Sequence, residues 1–176
     1  VNAGQWPPKT LRFRNNKTGQ PVLHLVLLDT SASTLGSGLF SKAKAAVLAI
    51  ADSAYLKREQ LMILGFGNQQ VDTLLAPIKA PKQLRALLDS IPAGGGTPLR
   101  EALNQAGLTI ARLKRQTPEL NICSYVVTDG RVKQNVADLK LSGDCTIIDV
   151  EQSAVKRGRG KGLAEELAAN YVFLPA

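Results

Sequence analysis

Long apolar runs, each followed by a polar segment, are the feature of this sequence that most restricts its fold. Val22–Leu28 (VLHLVLL) is followed directly by Asp29, and Gln60–Phe66 and Asn121–Thr128 are similar runs. A half-exposed strand alternates apolar and polar residues, whereas a continuous apolar run is typical of a strand buried on both faces. Such strands occur mostly in parallel sheets, whose faces are covered by helices. The runs therefore predict a parallel sheet between two layers of helices.

The remaining segments continue the alternation of strands and helices. Helical spacing of apolar residues predicts helices, and shorter apolar runs predict strands. The helices are expected over 41–57, 81–89, 98–116 and 162–169, and the additional strands over 71–75, 144–150 and 171–174. The strand over 71–75 follows the turn-forming Gly67-Asn68 and is expected to pair antiparallel at a sheet edge. We therefore predict an α/β protein with a three-layer, Rossmann-like architecture, in which a mostly parallel sheet has one antiparallel edge strand and helices on both faces.

The net charge of +8 comes from two short segments. Residues 1–20 contain four basic residues and no acid, and a second acid-free set comprises Lys156, Arg157, Arg159 and Lys161. Subtracting these eight from the 22 basic residues leaves 14, which balance the 14 acidic ones. We interpret 1–20 as a basic N-terminal arm, 21–176 as one domain, and the second set as a Gly-rich loop that contacts a partner. Such charges suit an acidic protein surface or nucleic acid, and they also occur as simple solvated charge.

The sequence offers few features of a membrane protein or of an enzyme. No run approaches the roughly 20 apolar residues of a membrane span, and residues 1–14 lack the apolar core of a secretory signal, so we expect a cytoplasmic protein. Cys123 and Cys145 fall in predicted strands and are expected to be buried free thiols. His24, the only histidine, lies in mid-strand, which predicts a packed histidine and leaves no Ser–His pair. We expect no catalysis by this chain alone.

Three polar segments lie where predicted strands end or a helix begins. Asp29-Thr30-Ser31-Ala32-Ser33 follows the first strand, Gly94–Pro98 precedes the long helix, and Thr128-Asp129-Gly130 ends a central strand. Ligands of open parallel sheets bind at the carboxyl ends of the strands, so we expect these segments to converge. Two carboxylates and three of the hydroxyls in these segments form a set of hard oxygen donors, which favours Mg²⁺, Mn²⁺ or Ca²⁺ over zinc. The predicted metal site comprises Asp29, Ser31, Ser33, Thr97 and Asp129.

Each of these residues also has an ordinary structural explanation. Thr97 precedes a helix and is a candidate N-cap, while Asp29 and Ser31 are typical of turns in which side chains bond loop backbone. Asp129 with Gly130 is a common turn pair. Asp29 at a strand end also fits an aspartyl phosphotransferase, although that chemistry calls for a second acid where this chain has Ser31. The occurrence of all three segments in the expected order favours the metal site.

The segments DTSAS, GGGTPL and TDG resemble the three parts of the metal-ion-dependent adhesion site of von Willebrand factor A domains. The resemblance implies the fold of that family. It also implies that Ser31, Ser33 and Thr97 ligate a divalent cation directly, with Mg²⁺ as the expected ion and Mn²⁺ or Ca²⁺ as alternatives. Asp29 and Asp129 would then act through water and through hydrogen bonds to the hydroxyls.

Longer segments are similar to a narrower group of proteins. IPAGGGTPL (91–99), VVTDGR (126–131), IIDVE (147–151) and LAEELAANYVFLP (163–175) resemble the C-terminal domain of the D subunit of magnesium chelatase and of its cobaltochelatase-type relatives. The resemblance implies a protein-interaction module of a chelatase complex in tetrapyrrole biosynthesis. Its partners would be the AAA+ subunit, the large porphyrin-binding subunit, or both. ATP chemistry belongs to a separate module in that family, and this chain contains no G-x-x-x-x-G-K-[ST] phosphate loop.

A second hypothesis comes from a different functional class. A nucleic-acid-binding domain of the same fold would use the basic segments 1–20 and 156–161. Binding to phosphates would weaken steeply with salt, whereas binding of a carboxylate through a metal would be lost on chelation. Salt and chelator therefore distinguish the two hypotheses, and we consider nucleic acid the less favoured partner.

Overall fold

The structure is a computed structural model, and it describes residues 19–31, 39–92, 94–151 and 158–175. Within these ranges the chain forms six strands and four helices. The strands are β1 Val22–Asp29, β2 Gln60–Gly67, β3 Gln70–Lys79, β4 Asn121–Thr128, β5 Asp144–Asp149 and β6 Asn170–Phe173. The helices are α1 Leu39–Leu56, α2 Arg85–Asp89, α3 Leu99–Gln116 and α4 Arg159–Glu166.

The six strands form one sheet in the order β3-β2-β1-β4-β5-β6. The central strand β1 is parallel to both β2 and β4, and β5 is parallel to both β4 and β6. Strand β3 is antiparallel to β2 and lies at one edge. The carboxyl ends of β1, β2, β4 and β5 therefore lie side by side at one end of the sheet, the edge that runs across the strands and not along β3. The predicted sheet, mostly parallel with one antiparallel edge strand, is confirmed.

Helices cover both faces of the sheet, as predicted. Leu25 and Val26 of β1 are adjacent in sequence and fully buried, yet they belong to opposite cores because successive side chains of a strand point to opposite faces. Helices α3 and α4 pack on the face of Leu25, while α1 and α2 pack on the face of Val26. Burial of each such side chain contributes about 1.5–3 kcal/mol.

Among the described residues, no helix combines the length and apolarity of a membrane span.

Strand β3 and helix α2 have different bounds from those predicted. Strand β3 continues to Lys79 instead of ending at Leu75 and includes Pro77, which an edge strand tolerates because one side of its backbone needs no partner. Helix α2 begins at Arg85 and not at Pro81. The Ala80 backbone N–H donates a 3.0 Å hydrogen bond to the Glu59 carbonyl, which holds the chain against the sheet beyond the end of β3.

Helix α4 begins at Arg159, whereas the sequence predicted a Gly-rich loop up to Gly162. Arg159 and Lys161 therefore lie on a helix, and the loop prediction was wrong for these residues. The reason is the packing of Gly160, where an added Cβ would overlap the Asp149 carboxylate. Glycine at this position allows the first turn of α4 to approach the end of β5, so it serves close packing and not chain flexibility.

The side chains of His24 and Tyr125 stack in the core between β1 and β4. His24 is only 3% exposed; its Nε2 lies 2.6 Å from Glu59 Oε2 and its Nδ1 lies 3.1 Å from the Tyr125 hydroxyl. Burial lowers the pKa of His24, and the hydrogen bond to Glu59 offsets part of that effect. The predicted packed histidine is confirmed.

Both cysteines are free thiols in strands. Cys145 is buried, as predicted, and burial raises its pKa to about 12. Cys123 is only partly buried, and burial raises its pKa to about 11. Because the thiolate is the reactive form, neither group has the electrostatics of a nucleophile.

Candidate metal site

The ends of β1 and β4 bring two carboxylates to the same edge of the sheet. The Thr128 hydroxyl donates a 2.8 Å hydrogen bond to Oδ2 of Asp29 and accepts a 3.1 Å hydrogen bond from the Gly130 backbone N–H. One hydroxyl thus connects the acid that ends β1 to the turn that carries Asp129. The first and third polar segments of the sequence are adjacent in the fold.

Asp29 is fully buried at this edge. Its Oδ1 accepts a 2.9 Å hydrogen bond from the Ser31 backbone N–H. Burial raises the pKa of Asp29, hydrogen bonds from Ser31 and Thr128 oppose the shift, and the nearby charge of Asp129 raises the pKa further. Two carboxylates held together away from water form an arrangement that a nearby cation stabilises.

Asp129 has one carboxylate oxygen hydrogen-bonded in a turn and one that accepts no hydrogen bond within the described residues. The side chain is 2% exposed, and its Oδ1 accepts a 3.0 Å hydrogen bond from the Arg131 backbone N–H. Within the described part of the chain, its buried Oδ2 accepts no hydrogen bond. Arg131 Nε lies 3.5 Å from that oxygen, which is longer than a charge-assisted hydrogen bond. Most buried polar atoms have a partner, so this oxygen marks a place for a ligand.

The second polar segment, Gly94–Pro98 (the glycine segment), lies against the end of β1. Ser31 and Gly94 form an isolated parallel bridge, and the Gly94 N–H donates a 3.2 Å hydrogen bond to the Thr30 carbonyl. An added Cβ at Gly94 would overlap Asn68, in the turn between β2 and β3. The absence of a side chain therefore allows this segment, which leads to Thr97, to reach the site.

Thr97 precedes helix α3, but its side chain does not cap the helix. The N-cap residue is Pro98, and no side chain makes a capping hydrogen bond there. The half-buried Thr97 hydroxyl has no hydrogen-bond partner among the residues that the structure describes, and its carbonyl accepts a 2.8 Å bond from the Leu99 N–H. The structure thus gives no support to the N-cap explanation and leaves the hydroxyl available as a ligand.

Arg100 joins the start of α3 to the chain after β4. Its guanidinium donates to both carboxylate oxygens of Asp138 and, at 2.9 Å, to the carbonyl of Asn135. Its backbone N–H donates a 2.9 Å hydrogen bond to Gln134 Oε1. These exposed contacts link the start of α3, next to Thr97, to the chain that follows the third polar segment.

Asp149, a third buried carboxylate at the same edge, was not among the residues predicted from the sequence to form the site. It is 2% exposed at the end of β5; its Oδ1 accepts a bond from the Glu151 N–H and its Oδ2 from the Tyr171 hydroxyl, both at 2.8 Å. Burial raises the pKa of Asp149, opposed by those hydrogen bonds and reinforced by the charges of Glu151 and Asp129. The signal was present in the sequence: β5, like β1, is an apolar run that ends in an acid.

The structure brings together most of the residues predicted to form the site. Asp29, Ser31 and Asp129 are buried at one sheet edge, and the segment of Thr97 reaches that edge through Gly94. Three predicted residues lie outside the described residues: Ser33, Lys156 and Arg157. Arg159 and Lys161 are exposed near the start of α4.

The donors at this edge are hydroxyl and carboxylate oxygens. No group of three or more His, Cys, Asp or Glu side chains suited to a metal occurs among the described residues. The zinc sites of proteins are commonly built from such groups. Hydroxyls, two acids and one orphaned carboxylate oxygen fit a hard divalent cation such as Mg²⁺, Mn²⁺ or Ca²⁺.

Comparison with known protein families finds a family whose sequence model covers residues at this edge of the sheet. The sequence model of the family described as von Willebrand factor type A domain matches residues 24–131. That range includes β1 from His24 onward, the glycine segment, and the end of β4 with Asp129.

The chain is also similar to named subunits of larger proteins. In an alignment of 192 positions it is 30% identical to the magnesium-chelatase 67 kDa subunit of Chlorobaculum parvum. The alignment covers 95% of this chain and 30% of that protein. It is 30% identical to the magnesium-chelatase 60 kDa subunit of Cereibacter sphaeroides over 162 residues, covering 89% of this chain and 27% of that protein. The chain therefore spans less than a third of the length of these relatives.

A solved structure shares the fold at low sequence identity. Manganese-loaded TRAP protein of Plasmodium vivax superposes with a TM-score of 0.69 at 15% identity, covering 89% of this chain and 69% of that one. At this identity the similarity concerns the fold alone.

Proposed function

Because this chain belongs to the von Willebrand factor type A domain family, we propose that it is a metal-dependent protein-interaction module. The module, residues 21–176, holds one divalent cation at the sheet edge and uses it to bind an acidic side chain of a partner. The cation is Mg²⁺, with Mn²⁺ or Ca²⁺ as substitutes. Ser31, Ser33 and Thr97 ligate it directly, and Asp29 and Asp129 act through water and hydrogen bonds.

The orphaned Oδ2 of Asp129 carries this proposal. A buried carboxylate oxygen without a hydrogen bond is costly unless a charge compensates it. Arg131 forms an ion pair with this oxygen at 3.5 Å, but its side chain is half exposed and donates no hydrogen bond to it, so it compensates the buried charge only in part. Asp29 beside it raises the cost further, because two negative charges share one region of low dielectric. A cation at this place satisfies the oxygen and both charges.

The choice of ligands determines what the cation can do. A cation bound mainly by neutral hydroxyls keeps most of its positive charge and can accept a carboxylate from another molecule. In this chain the Thr128 hydroxyl donates a hydrogen bond to Oδ2 of Asp29. That oxygen is then occupied and does not compete with the partner's carboxylate for the cation. The proposed recognition is therefore a charge-assisted contact that requires the metal and one acidic residue of the partner.

The relatives support a chelatase-associated role. They are named as magnesium-chelatase subunits, of which this chain matches one part. We propose that this module is a subunit or accessory of a magnesium or cobalt chelatase complex in the cytoplasm, and that it is not catalytic alone. The proposed partners are the AAA+ subunit and the large porphyrin-binding subunit.

Association of purified proteins tests this proposal. The chain is immobilised, and binding of the purified AAA+ and porphyrin-binding chelatase subunits is measured in Mg²⁺ and in EDTA. We expect binding of at least one subunit that is lost in EDTA and restored by excess Mg²⁺. Asp129→Asn should abolish the Mg²⁺-dependent part, because it removes the charge that faces the cation.

Asp144→Asn is the matched control, since Asp144 is an exposed carboxylate at the opposite end of the sheet. It should bind as the wild type does. Binding that is equal in Mg²⁺ and EDTA would refute the metal-dependent mechanism. Capture of nucleic acid with a steep salt dependence would favour the alternative function through the basic arm 1–20 and the segment 156–161.

A further inference from the structure

A cavity lies next to the metal site, between the chain that follows β4 and helix α4. Its volume is about 340 Å³, and Gly130, which directly follows Asp129, forms part of its wall. This volume is within the range of about 300–1,000 Å³ found for ligand sites. A molecule bound at the metal site therefore has a concave surface immediately beside it.

Two cationic side chains line this cavity. Lys133 comes from the chain after β4, and Arg159 from the first turn of α4. In the described part of the chain, neither side chain makes a hydrogen bond or an ion pair. The cavity contains one acid, Glu166, and one of its carboxylate oxygens accepts a 3.1 Å hydrogen bond from the Val136 N–H. The lining of the cavity therefore has a net positive charge, and its one acid already accepts a hydrogen bond from the backbone.

The walls of the cavity are fixed by other contacts. Gln134 lines it and is held by the backbone of Arg100 at the start of α3. On the other wall, Gly160 packs against Asp149 and anchors the first turn of α4. The first turn of α4 has no side-chain cap, and the N-terminal end of a helix carries a partial positive charge. The backbone segments that carry Lys133 and Arg159 are therefore held next to each other by contacts outside the cavity.

We propose, resting on the proposed function, that this cavity binds a second acidic side chain of the same partner segment whose first acidic side chain ligates the metal. Recognition then has two points: one carboxylate at the cation and one between Lys133 and Arg159. The ligand is an acidic peptide segment of a protein. A neutral segment loses the second contact, and a basic segment is repelled.

This assignment distinguishes two neighbouring cations that the sequence grouped together. Arg159 lines the cavity, whereas Lys161, also exposed near the start of α4, does not. Charge reversal at Arg159 or Lys133 should therefore weaken the second contact more than the same change at Lys161, which acts only at longer range. Because both contacts are near the surface, we expect about a three- to tenfold loss of affinity for each reversal.

The test uses two synthetic glycine-serine peptides, one with a single glutamate and one with two. Their binding to the isotope-labelled chain is followed by amide chemical shifts in Mg²⁺ and in EDTA. We expect the two-glutamate peptide to bind more tightly in Mg²⁺ and to shift the amides of 133–135 and 159–163. Lys133→Glu and Arg159→Glu should reduce its affinity to that of the single-glutamate peptide, and Lys114→Glu, in the last turn of α3, should leave it unchanged.

The outcomes separate this inference from the function on which it rests. If the single-glutamate peptide binds in Mg²⁺ but the second glutamate adds nothing, the cavity inference is wrong and the proposed function stands. If neither peptide binds in a metal-dependent way, both fail. Peptide binding that depends on Lys133 yet persists in EDTA would show an anion site independent of the metal, which also overturns the two-point inference.

Discussion

Oγ1 of Thr128 lies 2.8 Å from Oδ2 of Asp29, which joins the carboxyl ends of two neighbouring strands through one hydroxyl. Both residues are fully buried. The same hydroxyl accepts the Gly130 N–H, so it also sets the turn that carries Asp129. The geometry of the proposed metal site therefore depends on a residue that is not itself a proposed ligand.

Thr128→Val tests this relationship, since valine has nearly the same shape but lacks the hydroxyl. Asp29 Oδ2 and the Gly130 N–H would both lose a buried partner, and we expect a loss of about 1–3 kcal/mol in the free energy of unfolding. We also expect weaker Mn²⁺ binding. Urea denaturation and calorimetric titration measure the two effects. Thr128→Ser keeps the hydroxyl and should retain most of both; equal behaviour of the Val and Ser variants would contradict this role.

Gly160→Ala tests the packing of α4 on β5. The new methyl group would overlap the Asp149 carboxylate, so α4 or Asp149 must shift, and we expect destabilisation of about 1–3 kcal/mol. Gly162→Ala is the matched control on the same helix, because a Cβ there meets nothing within 4 Å. That change should be neutral or stabilising by about 0.5–1 kcal/mol, as expected for Gly to Ala in a helix. Thermal denaturation of both variants checks the contrast, and similar effects would refute it.

The buried His24 predicts a loss of stability in mild acid. Burial lowers its pKa below the ordinary value of 6.5, so the unfolded chain binds this proton more readily than the folded one. Its contribution to stability is therefore present above 6.5 and is lost as the pH falls below that value. Asp29 and Asp149 act in the opposite sense, because their raised pKa values favour proton uptake by the folded state.

Comparison with His24→Gln isolates the histidine contribution. Urea denaturation from about pH 7.5 to about pH 5.5 covers the range in which an ordinary histidine titrates. We expect the wild type to lose more stability over this range than the variant, even though the variant is less stable at the upper limit. Parallel pH profiles for the two proteins would contradict the assignment.

The fold was predictable because its signals are local. The apolar runs of β1 and β4 contain no regular polar alternation, which requires burial on both faces. The polar segments after these strands then had to meet at one edge, since parallel strands end together. For this reason Asp29 and Asp129 could be assigned to the same region from sequence.

The remaining features depend on contacts between distant segments. Gly160 looks like part of a loop in sequence, but its role is to let α4 approach Asp149. Gly94 likewise has meaning only beside Asn68, which belongs to a different turn. The exposure of Lys133 in a cavity with Arg159 depends on where α4 begins. Periodicity and propensity contain no information about such approaches, so the second carboxylate subsite could not have been predicted.

Calorimetric titration of the chain with Mg²⁺ and Mn²⁺ is the most direct measurement of whether the sheet edge holds a cation. We expect saturable binding of one ion by the wild type, together with a metal-dependent rise in the unfolding temperature that follows from selective binding to the folded state. Asp129→Asn and Thr97→Ala should remain folded without metal and lose both effects. Absence of binding by the wild type at millimolar metal, or equal binding by Asp129→Asn, would contradict the account.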